Sequence, residues 1–200
     1  MTVTTLIDVL RHGETEGGPR FCGSTEVPLT DAGRLQMWAA VEREPPGWSR
    51  IVTSPSCRCA DFARALARRL ARPWVCDERL REMHFGAWED RTAVELMRTD
   101  AETLTRFWAD PARHPPPGGE SVADLQARVM SAWHEILARH AGERLLLVTH
   151  GGVSRVILCH VLGHPIGRLL EFDVGHGAMQ RIRVEHRQDG FRHVLIGKHL

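Results

Sequence analysis

No apolar stretch in this chain approaches the ~18 residues that a membrane-spanning helix needs, so no membrane contact is expected. The opening Met1-Thr2-Val3-Thr4-Thr5 lacks the basic region and long apolar core of a secretory signal. Net charge is small: 26 Lys and Arg against 25 Asp and Glu leave +1. That balance gives no footprint for a nucleic-acid polymer or an acidic surface. The five cysteines (Cys22, Cys57, Cys59, Cys76 and Cys159) are odd in number and irregular in spacing, which argues against a disulfide framework. Cys57-x-Cys59 is too tight for a zinc knuckle, and no second pair completes it. The 12 histidines are scattered and lack the HExxH pattern. Most of them (His84, His114, His134, His140, His186, His193 and His199) are expected on the surface or in loops. A structural metal is not expected, and a reducing cytoplasm is the expected setting.

What is present fits an ordinary globular chain. Apolar residues make up 42% and charged residues 26%, and 200 residues suffice for one domain with a sizeable core, here taken as 1–200. Thr4 to Leu10 is almost continuously apolar and predicts a central parallel strand. Thr30 is a candidate N-cap for a helix to about Val41, broken by Pro45-Pro46-Gly47. Arg50 to Ser54 predicts a second strand. Pro55 is expected in the first turn of an amphipathic helix reaching about Leu70, and an extended segment begins at Pro73. Arg91 to Ala109 reads as helical, anchored by Val94, Leu96, Met97, Leu104, Phe107 and Trp108. Asp110 to Gly119 is a loop. A long helix follows from Ser121, with Asp124 three residues on, to about His140. Arg144 to Thr149 is a third strong strand, and Gly151-Gly152 opens a helix to about Leu162. Met179 to Glu185 and Phe191 to Ile196 alternate around Asp189-Gly190, which predicts a hairpin. The expected class is α/β: a mostly parallel central sheet with helices on both faces and an antiparallel hairpin near the C-terminus.

Three of these strands end in polar or cationic groups: Arg11-His12-Gly13, Ser54-Pro55 leading to Arg58, and Thr149-His150-Gly151-Gly152. Ligands of parallel sheets sit beyond the carboxyl ends of the strands, so distant segments deliver two arginines and two histidines to one edge. Helix N-termini there add free N–H groups and positive potential. Guanidiniums bind phosphate oxygens in forked geometry. Nearby positive charge keeps an imidazole unprotonated and nucleophilic. Phosphoryl transfer asks mainly for positioning and charge stabilisation, which this set can supply without a metal. An acid for the leaving oxygen is sought in Arg79 to Glu89. Glu82 stands before a Phe-Gly-x-Trp cluster able to shield it, and Glu78 and Glu89 compete.

Six ordered segments resemble the histidine phosphatase (phosphoglycerate-mutase-like) superfamily: Leu10-Arg11-His12-Gly13-Glu14-Thr15, Pro28-Leu29-Thr30-x-x-Gly33, Thr53-Ser54-Pro55 with Arg58-x-Ala60, Glu82-x-x-Phe85-Gly86-x-Trp88-Glu89, Gly119-Glu120-Ser121, and Thr149-His150-Gly151-Gly152. The resemblance implies a phosphohistidine at His12 and proton transfer by Glu82. It implies phosphate contacts from Arg11, Arg58, His150 and Gly151. It implies no cofactor. Thr15, Cys22, Gly23 and Glu120 are assigned to the substrate pocket, although Glu120-Ser121 also fits a helix cap.

Within the superfamily the chain is most similar to the α-ribazole phosphatases of cobalamin biosynthesis. Arg20-Phe21-Cys22-Gly23, Phe85-Gly86-Ala87-Trp88-Glu89, and Trp108-x-Asp110-Pro111 followed by Pro116 to Ser121 carry that similarity. Gly17-Gly18 stands where many relatives have Trp-Asn, so an Asn contact to phosphate is absent or replaced by backbone. No basic insertion or long tail suits a bisphosphate, which favours hydrolysis over mutase chemistry. The expected partner is a small phosphomonoester. A homodimer is compatible with the sequence, which leaves the oligomeric state open. The alternatives are a broad-specificity sugar or nucleotide phosphatase, a mutase-like enzyme, and a non-catalytic module that binds a phospholigand.

Overall fold

The computed structural model describes residues 3–43, 47–188 and 190–199. Its strands are β1 (Thr4–Arg11), β2 (Arg50–Thr53), β3 (Trp74–Cys76), β4 (Arg144–Thr149), β5 (Met179–Arg187) and β6 (Gly190–His199). They form one sheet in the order β3-β2-β4-β1-β5-β6. Pairings from β3 through β1 are parallel, and β1–β5 and β5–β6 are antiparallel. This is the expected architecture, hairpin included. Pro45-Pro46 and Asp189, expected as breaks, lie outside the described residues.

Six α-helices connect or cover these strands: α1 (Asp31–Glu42), α2 (Cys57–Leu70), α3 (Ala93–Thr99), α4 (Ala101–Ala109), α5 (Val122–Arg139) and α6 (Gly151–Leu162). Alternate β1 side chains feed two cores, as strand geometry requires. Ile7 and Val9 join a core with Leu104, Leu125, Trp133 and Ile157 from α4, α5 and α6. Leu10 joins another with Met37, Phe62 and Leu66 from α1 and α2. Thr30 caps α1 by accepting from the Gly33 N–H. Ser121 caps α5 through the Asp124 N–H.

Three local expectations need correction. Pro55 precedes the N-cap residue Ser56, so it lies outside the first turn of α2, and Arg58 is the second helical residue. The segment from Arg91 to Ala109 is two helices. Thr92 and Glu95 form a capping box that starts α3 at Ala93, and Asp100 leaves helical geometry at φ −153°, ψ 41°. The Asp100 carboxylate accepts from the indole N–H of buried Trp88 at 3.0 Å, a tertiary demand that helical periodicity does not register. Leu96, Leu104 and Phe107 are buried as expected, but Val94, Met97 and Trp108 are exposed. Finally, His140, His186 and His193 are half-buried and bonded to Glu143, Thr5 and Trp133 rather than free on the surface.

Register decides where the site lies. Arg11 stands opposite Thr149 across the β1–β4 pair, and Thr53 opposite Val148 across β2–β4. The ladder continues past the strands: His12 N–H donates to Thr149 O at 2.9 Å, and Ser54 N–H to Val148 O at 2.9 Å. His12, Ser54 and His150 are therefore level at one sheet edge.

The apolar reading of β1 conceals one charge. Asp8 is fully buried and accepts from Trp48 Nε1 at 2.7 Å, Arg144 Nη2 at 2.9 Å and Arg181 Nε at 2.7 Å. Arg144 opens β4 and Arg181 lies opposite Asp8 on β5, so one carboxylate ties three adjacent strands. Removing one partner of such a cluster leaves buried charge uncompensated, a loss of about 3–5 kcal/mol. Asp8→Ala is expected to lower unfolding stability by that amount in urea melts. A loss under about 1 kcal/mol would refute the tie, since that is what an exposed pair contributes.

Candidate active site

The chain leaving β1 runs against the start of α1, and glycine makes that close approach possible. A Cβ on Gly13 would stand 2.0 Å from Gly33 O, so the RHG segment and the first turn of α1 pack backbone to backbone. This contact accounts for the glycine of Pro28-Leu29-Thr30-x-x-Gly33. It leaves His12 only 7% exposed. Its Nδ1 lies 2.8 Å from Gly13 O. A carbonyl oxygen can only accept, so Nδ1 carries the proton and Nε2 keeps its lone pair. Burial holds the His12 pKa well below its ordinary value near 6.5, and Arg11 and Arg58 add to the effect against the bond to Gly13. Where nucleophilicity is needed, the imidazole is neutral.

His150 caps α6 and is fully buried. Its ring meets that of His12 edge-on with centroids 5.3 Å apart. Arg58 Nε donates to His150 Nδ1 at 3.3 Å, so the His150 proton sits on Nε2, which donates to Ser54 Oγ at 2.7 Å. Burial, then Arg58, keeps this imidazole far below 6.5 as well. Arg58 is 1% exposed, unlike the solvated Arg64, Arg68 and Arg69 of the same helix. Its Nη1 donates to Thr25 O at 2.9 Å, and Nη2 to Cys22 O and Gly23 O at 2.9 and 3.0 Å. One Nη1 N–H remains unassigned. Arg58 and His150 are thus braced by the protein on most of their polar atoms. Arg11 is less committed: Nη1 donates to Val174 O, while Nε is buried without a partner among the described residues.

The structure separates the three competing carboxylates. Glu78 is exposed and pairs with Arg81 at 2.5 Å. Glu89 accepts from the N–H groups of Gly23, Thr25 and Phe85 and from the Thr25 hydroxyl. Burial works against its charge, yet these bonds hold its carboxyl below the usual range, so it anchors the 23–25 loop as an anion. Glu82 pairs with neither Arg79 nor Arg81, the ordinary alternative. Its oxygens accept from Met83 N–H at 3.0 Å and Gly152 N–H at 3.0 Å. A Cβ on Gly152 would collide with Glu82 Oε1, so a side chain at the second glycine of Thr149-His150-Gly151-Gly152 would displace that carboxylate.

A cavity of about 190 Å³ is lined by Glu82, Arg11 and Gly151 on one side and by Phe21, Phe107 and Trp108 on another. The remaining expected pocket residues are distributed unequally. Cys22 and Gly23 lend carbonyls to Arg58, and burial raises the Cys22 thiol pKa. Thr15 is buried in a bridge to Leu29. Glu120 faces a different groove, beside Gly23 and Glu82. Its carboxylate pairs with Arg128 at 2.6 Å, and Arg128 in turn donates to the Glu82 carbonyl at 3.0 Å. That makes Glu120 a support of the Glu82 backbone rather than part of the cavity wall. Gly17 and Gly18 sit in an exposed turn with positive φ, stapled by Arg20.

Two residues at the site carry no signal in the motifs. His176 approaches His12 with ring centroids 5.6 Å apart, from an irregular loop before β5. Arg155 lines the cavity from α6. It lies four residues after Gly151, one helical turn on the same face, a spacing that could have been read in advance. Among the described residues, no group of three or more His, Cys, Asp or Glu is arranged to hold a metal ion, and no helix is long and apolar enough to cross a membrane.

A model of the family described as histidine phosphatase superfamily (branch 1) matches residues 7–197. The chain belongs to this superfamily. It is 36% identical over 179 residues to the glucosyl-3-phosphoglycerate phosphatase of Mycolicibacterium vanbaalenii, spanning 83% of this chain and 77% of that one. Other curated relatives, from Mycobacterium, are longer, and the chain covers 48% of their length. Among solved structures, Bacillus stearothermophilus YhfR superposes with a TM-score of 0.87 at 31% identity, covering 96% of each chain. The α-ribazole phosphatase from Shigella flexneri superposes at 0.79 with 25% identity, over 96% of this chain and 95% of that one.

The electrostatics have a measurable consequence. Histidines whose folded pKa is depressed stay neutral while unfolded imidazoles take up protons near 6.5. Stability from His12 and His150 is therefore complete above about pH 6.5 and is lost progressively as pH falls toward their folded values. In an NMR titration, the imidazole resonance lost in His12→Ala and the one lost in His150→Ala should both stay flat through pH 6.5. Titration of the His12 resonance at 6.5 would contradict the site as described.

Proposed function

We propose that the protein is a phosphomonoesterase that passes the phosphoryl group of its substrate first to His12 and then to water. One observation carries this reading: a buried His12 whose Nδ1–H is held by Gly13 O, leaving the Nε2 lone pair free beside Arg11. Nε2 attacks phosphorus and the bond to the leaving oxygen breaks. Glu82, held beside Gly152, protonates the departing alkoxide. It then takes a proton from the water that attacks the phosphohistidine, and inorganic phosphate leaves. Arg11 and the backbone at Gly151 hold the phosphate oxygens, and Arg58 adds its remaining Nη1 N–H. His150 orients Arg58 and reaches an oxygen by exchanging its bond to Ser54. The guanidiniums supply the positive charge that the transition state needs.

Two alcohols compete for the leaving position. The aromatic wall of Phe21, Phe107 and Trp108 supports a nucleoside-like alcohol, and with it hydrolysis of α-ribazole 5′-phosphate in cobalamin biosynthesis. The 36% identity to a glucosyl-3-phosphoglycerate phosphatase supports a glycerate-type phosphate. Phosphate release from both compounds, from sugar phosphates and from 3-phosphoglycerate with and without 2,3-bisphosphoglycerate distinguishes hydrolase, mutase and preferred alcohol. His12→Ala should abolish release. Equal release by wild type and His12→Ala, or none from either, would favour a phospholigand-binding module instead.

Glu82→Gln should lower kcat by about 10²–10⁴-fold, the range of acid–base catalysis, while phosphate inhibits with nearly unchanged affinity. Loss of affinity alone would remove the acid–base role. Gly152→Ala is expected to displace the Glu82 carboxylate and reproduce much of that kcat loss, while unfolding midpoints stay near wild type. A wild-type kcat in Gly152→Ala would show that the carboxylate position at Gly152 is not the reactive one.

A further inference from the structure

The cavity wall holds two arginines where transferred phosphate accounts for one. Seen from Gly151, an added Cβ would lie 3.3 Å from Arg11 Nε and 2.9 Å from Arg155 Nη1, so both guanidiniums flank the same backbone atom. Arg155 spends Nε on the Phe172 carbonyl at 2.9 Å, and its terminal nitrogens have no partner among the described residues. The carboxylates that act on the neighbouring Arg11 are Glu82 and Asp173, and Arg155 acts on it with the opposite sign. Glu82 already accepts from Gly152 and Met83. Adjacent like charges at a cavity wall without a bridging protein anion are unfavourable unless an anionic ligand neutralises them.

Resting on the phosphatase reading above, we propose that Arg155 is a specificity-determining residue that binds a carboxylate on the leaving alcohol, so that the preferred substrates are phosphomonoesters of hydroxy acids. Arg11 serves the phosphoryl group delivered to His12, and Arg155 serves the second negative group across Gly151. A carboxylate fits this position better than a second phosphate. It is a planar monoanion matching one guanidinium fork, and Glu82 and Asp173 already repel a larger negative charge. Neutral nucleoside alcohols such as α-ribazole carry no negative group for Arg155 to neutralise.

The test compares 3-phosphoglycerate with glycerol 3-phosphate, which differ by a carboxylate, and uses phenyl phosphate to report the basal reaction. Wild type should prefer 3-phosphoglycerate in kcat/KM. Arg155→Leu should reduce that preference roughly tenfold to a hundredfold, the effect of losing a hydrogen bond to a charged group, chiefly through KM. Arg155→Lys should restore part of it, which a merely structural role for the bond to Phe172 would not produce. Equal falls on all three compounds in Arg155→Leu would assign Arg155 to the transferred phosphate or the loop and overturn the proposal. So would a wild type without preference, or one that prefers a bisphosphate. If wild type turns over glycerol 3-phosphate and phenyl phosphate without that preference, only the carboxylate assignment fails. If it turns over none of the three yet hydrolyses α-ribazole 5′-phosphate, the carboxylate assignment alone fails; if it releases phosphate from no monoester, the phosphatase reading fails and takes this inference with it.

Discussion

The hydrogen bond from His12 N–H to Thr149 O fixes the geometry on which the site depends. It extends the β1–β4 ladder one residue beyond the strands and holds two histidines from positions 138 residues apart in sequence at the same height. A slip of one residue would turn every β1 side chain to the other face, moving Leu10 out of its core and Asp8 away from Arg181. The register is therefore held by apolar packing on both faces and by a buried charge cluster. The site at the end of these strands inherits that register, and local bonds to Arg58, His150 and Glu82 brace it further.

Electrostatics at that edge oppose the fold. Two buried imidazoles lie among Arg11, Arg58 and Arg155, and burial disfavours charge on each ring. The chain answers with backbone carbonyls rather than carboxylates: those of Cys22, Gly23 and Thr25 receive Arg58, and that of Val174 receives Arg11. Carbonyl dipoles hold a guanidinium in place without cancelling its charge, so the positive potential stays available to an anionic ligand. The Glu89 carboxylate is turned onto the N–H groups of the same 23–25 loop. One loop thus separates the braced cation from the braced anion.

Much of this was legible in the sequence because it rests on local rules. Strand ends, glycines and first-turn residues reported Arg11, His12, Arg58 and His150, the family resemblance singled out Glu82 from three carboxylates, and apolar runs gave the central strands while alternation gave the terminal hairpin. What was not legible depended on distant partners. Asp8 gives no signal inside an apolar run, since its partners arrive from Trp48, Arg144 and Arg181. The break at Asp100 answers a Trp88 indole that no helical pattern includes. His176 reaches His12 from an irregular loop without periodicity. The exposure of Val94 and Met97 shows the limit of apolar anchors as evidence for burial when a helix is short and lies at the edge of the core.

Helix α6 links recognition to chemistry in one rigid piece. His150 caps it, Gly151 and Gly152 open it, and Arg155 follows one turn later. Gly152 N–H holds the Glu82 carboxylate, and the two guanidiniums meet in the space that a side chain on Gly151 would fill. A contact between Arg155 and the leaving alcohol therefore acts on the same first turn that positions the acid and the phosphate-binding edge. Within such a unit, energy from a group remote from the reacting bond can orient the phosphoryl transfer itself. The expected division of labour follows from that geometry. Arg11 and His12 define the reaction, while the side chain one turn along α6 discriminates among the alcohols that undergo it.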